Sequence, residues 1–133
     1  MTNQAEATSL LVDARTEGLK VRTRDGDGLG SIYALMVDKR SGNATYAVLS
    51  IGGFLGLNKS FYPLPFELLA YDAVGDDYVV TADRRVLEGG PSWANNPPDF
   101  NQAYADRVSG YYGTASVSLS NDDARNDDAR DAE

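Results

Sequence analysis

A chain of 133 residues with 12 Lys and Arg against 20 Asp and Glu carries a formal charge of −8 and contains neither His nor Cys. Those two zeros exclude a Ser-His-Asp triad, a cysteine nucleophile, a Cys/His zinc site, haem held by His or Cys, and any disulfide framework. The excess of acid disfavours direct nucleic-acid binding, which needs clustered Lys and Arg, while the length suits one domain with its own core.

Met1 to Thr8 is polar, and residues 1–14 are expected to form a loose N-terminal segment. No stretch approaches the about 18 consecutive apolar residues of a membrane span, and Met1 to Lys20 lacks the basic start and apolar centre of a signal peptide, so a cytoplasmic location is expected. Leu19 to Arg24 alternates apolar or β-branched residues with charged ones, the period of a strand with one wet face. Asp25-Gly26-Asp27-Gly28 then predicts a tight hairpin turn, because Asp-Gly pairs supply positive φ. Leu29 to Asp38 is apolar on both faces; its periodicity also suits a helix, and its length and flanking glycines favour a buried strand.

Lys39 to Asn43 reads as a second turn and Ala44 to Ile51 as another double-sided strand. Adjacent strands apolar on both faces imply a closed or sandwiched sheet. Gly52 to Leu57 interrupts the ladder, and Pro63 and Pro65 bar their segment from a central strand, since each removes a ladder donor. Tyr78 to Ala82 is the last clear strand. Beyond it, Asn96-Pro97-Pro98-Asp99 reads as a helix start, followed by one apolar stripe of Phe100, Tyr104, Val108 and Tyr111, with Gly110 or Gly113 as its stop. The last 13 residues hold six acids and two Arg with almost nothing to bury, so a disordered acidic tail is expected over residues 116–133.

Candidate chemistry is sparse. Asp25, Asp27 and Gly28 fall on three positions of a calcium loop, but its first and twelfth positions are Thr23 and Ala34, and a hairpin turn explains the same residues. Gly26, Gly28 and Gly30 miss the dinucleotide spacing, and Gly56 to Ser60 lacks the glycine that precedes a phosphate-loop lysine. Asp76 with Asp77, or Glu67 with Asp72, could pair for glycoside hydrolysis, although their setting near turns suits solvated loop charge. Phe54, Leu55 and Leu57, freed by three glycines, form either an exposed contact patch or a plug for the barrel end. Trp93, the single Trp, reads as an anchor under the linker, and Tyr111-Tyr112 as the closing residues of the helix.

Together these stretches resemble the PRC-barrel family, the small β-barrel of the photosynthetic reaction centre H subunit and of ribosome maturation factors. The resemblance is carried by Glu17-Gly18-Leu19-Lys20-Val21, Asp25-Gly26-Asp27, Leu29-Gly30-Ser31-Ile32, Leu35-Met36-Val37-Asp38, Ser41-Gly42, Tyr46 to Ser50, and above all Gly52-Gly53-Phe54-Leu55-Gly56. Leu64-Pro65-Phe66 is similar to a Val-Pro-Trp element, Leu87 to Ser92 to a Leu-x-x-Ala-Pro-Ser stretch, and Tyr111-Tyr112-Gly113 to an ending of stand-alone bacterial members. It implies a barrel of about six strands with assembly roles and no catalytic residues. Neither the transmembrane helix of the reaction-centre subunit nor the N-terminal domain of the maturation factor is expected here, so neither job is expected to transfer directly.

The expected architecture is therefore mainly β: a small closed barrel over residues 15–92, a linker and helix over residues 93–115, and the acidic tail. The expected function is a non-catalytic protein-interaction module without cofactor or metal. Its expected partner is a second copy of itself, met through Phe54, Leu55, Leu57, Phe100, Tyr104, Tyr111 and Tyr112. Peripheral association with a membrane complex stays open. So do two alternatives: a small-ligand or polysaccharide-related binding domain or carboxylate hydrolase in the barrel mouth, and an acidic adaptor whose tail attracts a basic partner.

Overall fold

Two tight turns fold the first half of the chain into a meander. In the computed structural model, which describes residues 11–52 and 58–119, strands β1 (Leu11–Thr23), β2 (Gly28–Asp38) and β3 (Ala44–Ile51) pair antiparallel in succession. The first turn is a hairpin around Gly26 (φ 97°), in which the Thr23 hydroxyl accepts from Asp27 N–H at 3.1 Å. At the second, Asp38 Oδ1 accepts from Arg40 N–H at 2.7 Å and the Arg40 guanidinium donates to Asp38 Oδ2 at 2.9 Å, with Gly42 at φ 79°. The ambiguous Leu29 to Asp38 segment is thus a strand, held between two partners.

β4 (Ser60–Pro65) follows on the far side of β3, and the 3-10 turn Phe66–Leu68 leads into the hairpin of β5 (Leu69–Asp72) and β6 (Asp77–Val80). β6 returns parallel to β1, giving the order β4-β3-β2-β1-β6-β5. One buried cluster draws on every strand: Val21, Leu29, Ile32, Leu49, Leu64, Leu69 and Val80, with Leu87 from the short helix α1 (Arg84–Glu88). A flat sheet could not bring its two edge strands to the same interior, so the sheet curls into a half-barrel. Among the described residues the ladder ends at β4 and β5, and the 3-10 turn joins those edges in place of a further ladder.

A second core lies on the outside of the curl. Helix α2 (Gln102–Tyr112) lays Tyr104, Ala105 and Val108 over Leu11 and Tyr46, and Leu119 of the returning chain completes the cluster. A buried hydrogen bond of 2.7 Å between the hydroxyls of Tyr46 and Ser109 ties helix to sheet. The apolar stripe expected from the sequence therefore packs on the chain's own barrel. Its start differs from the expectation: Asn101 caps the helix, its side chain accepting from Tyr104 N–H at 2.9 Å, and Pro97 and Pro98 lie in the linker ahead. Gly113 ends it at φ 72°, and Thr114 N–H donates to Ser109 O at 2.9 Å.

Three sequence boundaries move. β1 begins at Leu11, so residues 11–14 belong to the sheet and not to a loose leader, because Leu11 has a pocket under α2. Val117 packs against the outer core and Leu119 is buried in it, so the packed chain runs past residue 116 before the acidic tail begins. α1 was not foreseen; it is only five residues long and is fixed by Leu87, which is fully buried inside the barrel.

The Asp38–Arg40 contact has a consequence for stability. The guanidinium holds the Asp38 carboxyl below its ordinary 3.8. A carboxyl with a depressed folded value stabilises the fold at pH above the unfolded value, and that contribution disappears as pH falls through the folded one. Between about pH 5 and about pH 2.5 the melting temperature of the wild type is expected to fall more than that of Asp38→Asn. Superimposable profiles from calorimetry would show the contact to be uncoupled from folding.

Candidate functional site

The outer face of the sheet carries a groove beside α2. It is built by irregularities at one level of the strands. In β1 the register against β2 shifts between Arg15 and Leu19, around Gly18 at φ 78°, and in β2 the register against β3 shifts between Ile32 and Ala34. Tyr33 is the residue left over by the second shift, and such bulges re-aim a side chain. Its ring meets Phe61 of β4 with centroids 4.8 Å apart, and Phe61 in turn stacks on Trp93 at 5.8 Å and 24°. On the other side the Arg15 guanidinium lies over the Tyr33 ring at 4.3 Å and donates to its hydroxyl.

Arg15, Tyr33, Phe61 and Trp93 thus form a continuous row across three strands and the linker. The concavity along it has a volume of about 300 Å³, with Ala34, Met36 and Val48 among its lining and Pro97, Pro98 and Phe100 contributed by the linker. Among the described side chains its wall holds one charged group, Arg15, and no carboxylate.

The row is rigid for a backbone reason. Phe61 N–H donates to Trp93 O at 2.8 Å and Trp93 N–H to Phe61 O at 3.0 Å, so the linker forms a bridge on the edge of β4. The next positions facing the same way are Pro63 and Pro65, which have no N–H to offer. The prolines that mark β4 as an edge strand therefore also close that edge to strand addition.

Of the residues singled out from the sequence, Phe100 reaches the groove. It packs on Tyr46 and Tyr104 with centroids at 5.3 and 5.1 Å. Tyr104 is 8% exposed and belongs to the outer core. Tyr111, 42% exposed, donates its hydroxyl to Val86 O and lies against Gly89 and Gly90 with Tyr112. Burial pushes the Tyr112 hydroxyl far above the ordinary tyrosine range, and it has no hydrogen-bond partner among the described residues. Phe54, Leu55 and Leu57, together with the acidic tail Asn121 to Glu133, lie outside the described residues.

The acids considered for catalysis lie elsewhere. Arg22 donates to both Asp72 and Asp77, the latter at 2.8 Å, which clamps the β5–β6 hairpin to β1. Asp76 accepts from the Tyr71 hydroxyl at 2.7 Å and Glu67 is exposed. Asp25 and Asp27 sit in the first hairpin, as a turn demands. Sequence reasoning passed over Arg15, Tyr33 and Phe61 and gave Trp93 a purely structural role. Trp93 does anchor the linker, and its ring is a groove wall as well.

A model of the PRC-barrel domain matches residues 13–87, more than half of the chain. The chain belongs to the PRC-barrel family. No curated protein matches it. The matched PRC-barrel segment runs from β1 into α1, so Arg15, Tyr33 and Phe61 come from the family domain, whereas Trp93, Phe100 and α2 come from the segment that follows it. The groove thus lies where this PRC barrel meets its own C-terminal extension. Among the described residues no helix is long and apolar enough to cross a membrane.

Proposed function

We propose that the protein is a non-catalytic interaction module, with the barrel as scaffold and the aromatic groove as contact surface. The observation that supports this reading is the row of half-exposed rings, Tyr33, Phe61 and Trp93, held by bulges and a backbone bridge on a rigid sheet. Aromatic side chains presented in this way supply large contact area at little conformational cost, which is why they dominate protein interfaces. A hydrolase in the same place would need confronting carboxylates, and none is among the described side chains of this wall.

We assign the groove to a different protein rather than to a second copy. Of the surfaces expected to meet a second copy, the α2 stripe buries Tyr104 and Val108 on the chain's own barrel and the edge of β4 is closed, while Phe54, Leu55 and Leu57 lie outside the described residues. The test places the photo-crosslinking residue p-benzoyl-phenylalanine at position 33 or, as a control on the exposed β5 edge, at position 71, in cells that make the protein. A protein adduct from position 33 and not from 71 is the expected result. Adducts in equal yield, or none from position 33, would overturn the reading, and an adduct at twice the chain mass would restore the homodimer.

A further inference from the structure

We infer that the slot between α2 and the second turn, which residues 114–119 of the same chain fill, is a receptor for an extended segment of a partner protein that carries an apolar residue two places before a leucine. The slot is separate from the groove: Arg40, Gln102 and Asp106, which build it, are not among the groove's described lining. Its present occupant shows what it binds. Thr114 N–H donates to Ser109 O, the Ser116 hydroxyl to Asp106 and the Gln102 amide to Val117 O, so the segment steps back along α2 from its last turn to its first.

The segment is held as a receptor holds a peptide. Gln102 Nε2 donates to Val117 O at 2.9 Å and Gln102 Oε1 accepts from Leu119 N–H at 2.9 Å, so one side-chain amide pairs with two backbone groups as a neighbouring strand would. From the second turn Arg40 Nη2 donates to Ser118 O at 3.3 Å. These bonds read backbone and leave the residue type open; the apolar pockets make the choice. Val117 packs on the outer core and Leu119, 5% exposed, is buried in it beside Leu11. Main-chain bonds with pockets for alternate side chains are a general mode of recognising an extended peptide.

The clasp belongs to the helix and not to its occupant. Asp106 Oδ1 accepts from Gln102 Nε2 at 2.9 Å, which fixes the nitrogen end of the amide and leaves the oxygen end for the Leu119 N–H. The donors Ser116 and Gln102 hold the Asp106 carboxyl below its ordinary 3.8, so it stays an acceptor at neutral pH. Both clasp residues stand on α2, which Tyr104, Ala105 and Val108 fix to the sheet.

The occupant is exchangeable. Leu119 is its one fully buried residue, so its departure is a local opening that leaves the barrel intact. While it is seated, the tethered segment competes at an effective concentration of about millimolar order, and the resting chain blocks its own slot. A second copy would have to break these same bonds at home to make them elsewhere, whereas a segment of another protein has none to break.

The test uses the full chain, labelled with nitrogen-15, and the acetylated, amidated peptide Thr-Ala-Ser-Val-Ser-Leu, with the same peptide carrying aspartate for its leucine as control. Leu119→Asp unseats the tethered segment. The expected result is a saturable shift of the Gln102 side-chain amide resonances of that variant, about hundredfold weaker binding by the wild type, and no response to the control peptide. Adding Gln102→Ala to Leu119→Asp is expected to weaken binding about tenfold. Should Leu119→Asp fail to fold, Leu119→Ala keeps the segment but removes its anchor, and is expected to bind the peptide more tightly than the wild type.

No response from a folded Leu119 variant, equal binding by variant and wild type, or equal responses to the two peptides would each overturn the inference. A wild-type dimer in light scattering that Leu119→Asp abolishes would overturn the assignment to a different protein, because the segments would then be exchanged between copies. None of these readouts depends on the position-33 adduct, which reports on the groove.

Discussion

Gly30→Ala is expected to destabilise the barrel by more than about 3 kcal/mol, at the upper end of what overpacking costs. A Cβ on Gly30 would collide with the Ser50 carbonyl oxygen and stand 3.1 Å from its carbon and 3.2 Å from Ile51 Cα. All three are backbone atoms of β3, which is pinned on its other side by β4 through Ser50 to Phe61 and Ile51 to Ser60. The neighbour cannot swing aside as a flexible side chain would, so either the ladder opens at this level or β2 shifts register. Gly28 is the control. An added Cβ there has no neighbour within 4 Å, so Gly28→Ala is expected to change stability by less than about 0.5 kcal/mol. Urea midpoints for the two variants decide the matter. Equal midpoints would show that β2 and β3 do not approach this closely. The same substitution should also disturb the groove, because Tyr33 and Phe61 stand on these strands within a few residues of the clash.

The fold was legible where local chemistry and the buried face agree. Asp25 to Gly28 and Lys39 to Asn43 turn because Gly26 and Gly42 take positive φ, and Leu29 to Asp38 could be placed as a strand because glycines bracket its apolar run. β1 from Leu11 was not legible, since Leu11 belongs to the outer core, and a position buried by α2 leaves no mark on the period of its own segment. α1 was hidden for a similar reason: five residues are too few for a helical stripe, and Leu87 alone fixes them.

The groove was the least legible part. Tyr33 stands in a run where every residue is apolar or small, and only the slip in pairing between Ile32 and Ala34 turns it outward. A bulge is a property of two strands, so neither sequence announces it. Phe61 reads as an ordinary strand residue until Trp93, 32 positions along the chain, bridges to it. Aromatic residues in α2 were conspicuous because they repeat at helical spacing, yet that repetition is what commits Tyr104 and Val108 to the core. Periodic apolar residues mark what is buried; the contact surface here is made from aperiodic ones.

Val108→Asp is expected to release α2 from the barrel at a cost of about 3 to 5 kcal/mol, the penalty of an unpaired charge in a buried site. Val108 is fully buried among Leu11, Tyr46, Tyr104, Ala105 and Leu119, and the nearest polar tie, Tyr46 to Ser109, is a neutral pair that cannot compensate a carboxylate. The interior cluster, by contrast, draws its buried residues from the six strands and α1, and all of them fall within residues 13–87 matched by the family. Release of α2 should therefore leave the barrel standing while uncovering Tyr46 and Met36. Hydrogen exchange is the direct readout: amides of 102–112 are expected to lose protection while those of β2 and β3 keep theirs. If α2 amides stay protected, the helix is held by something other than this core, and if all amides lose protection together, barrel and helix are one cooperative unit. Because Phe100 and the Trp93 linker pack against the same outer cluster, the variant should also lose the groove, which makes α2 the brace of the contact surface.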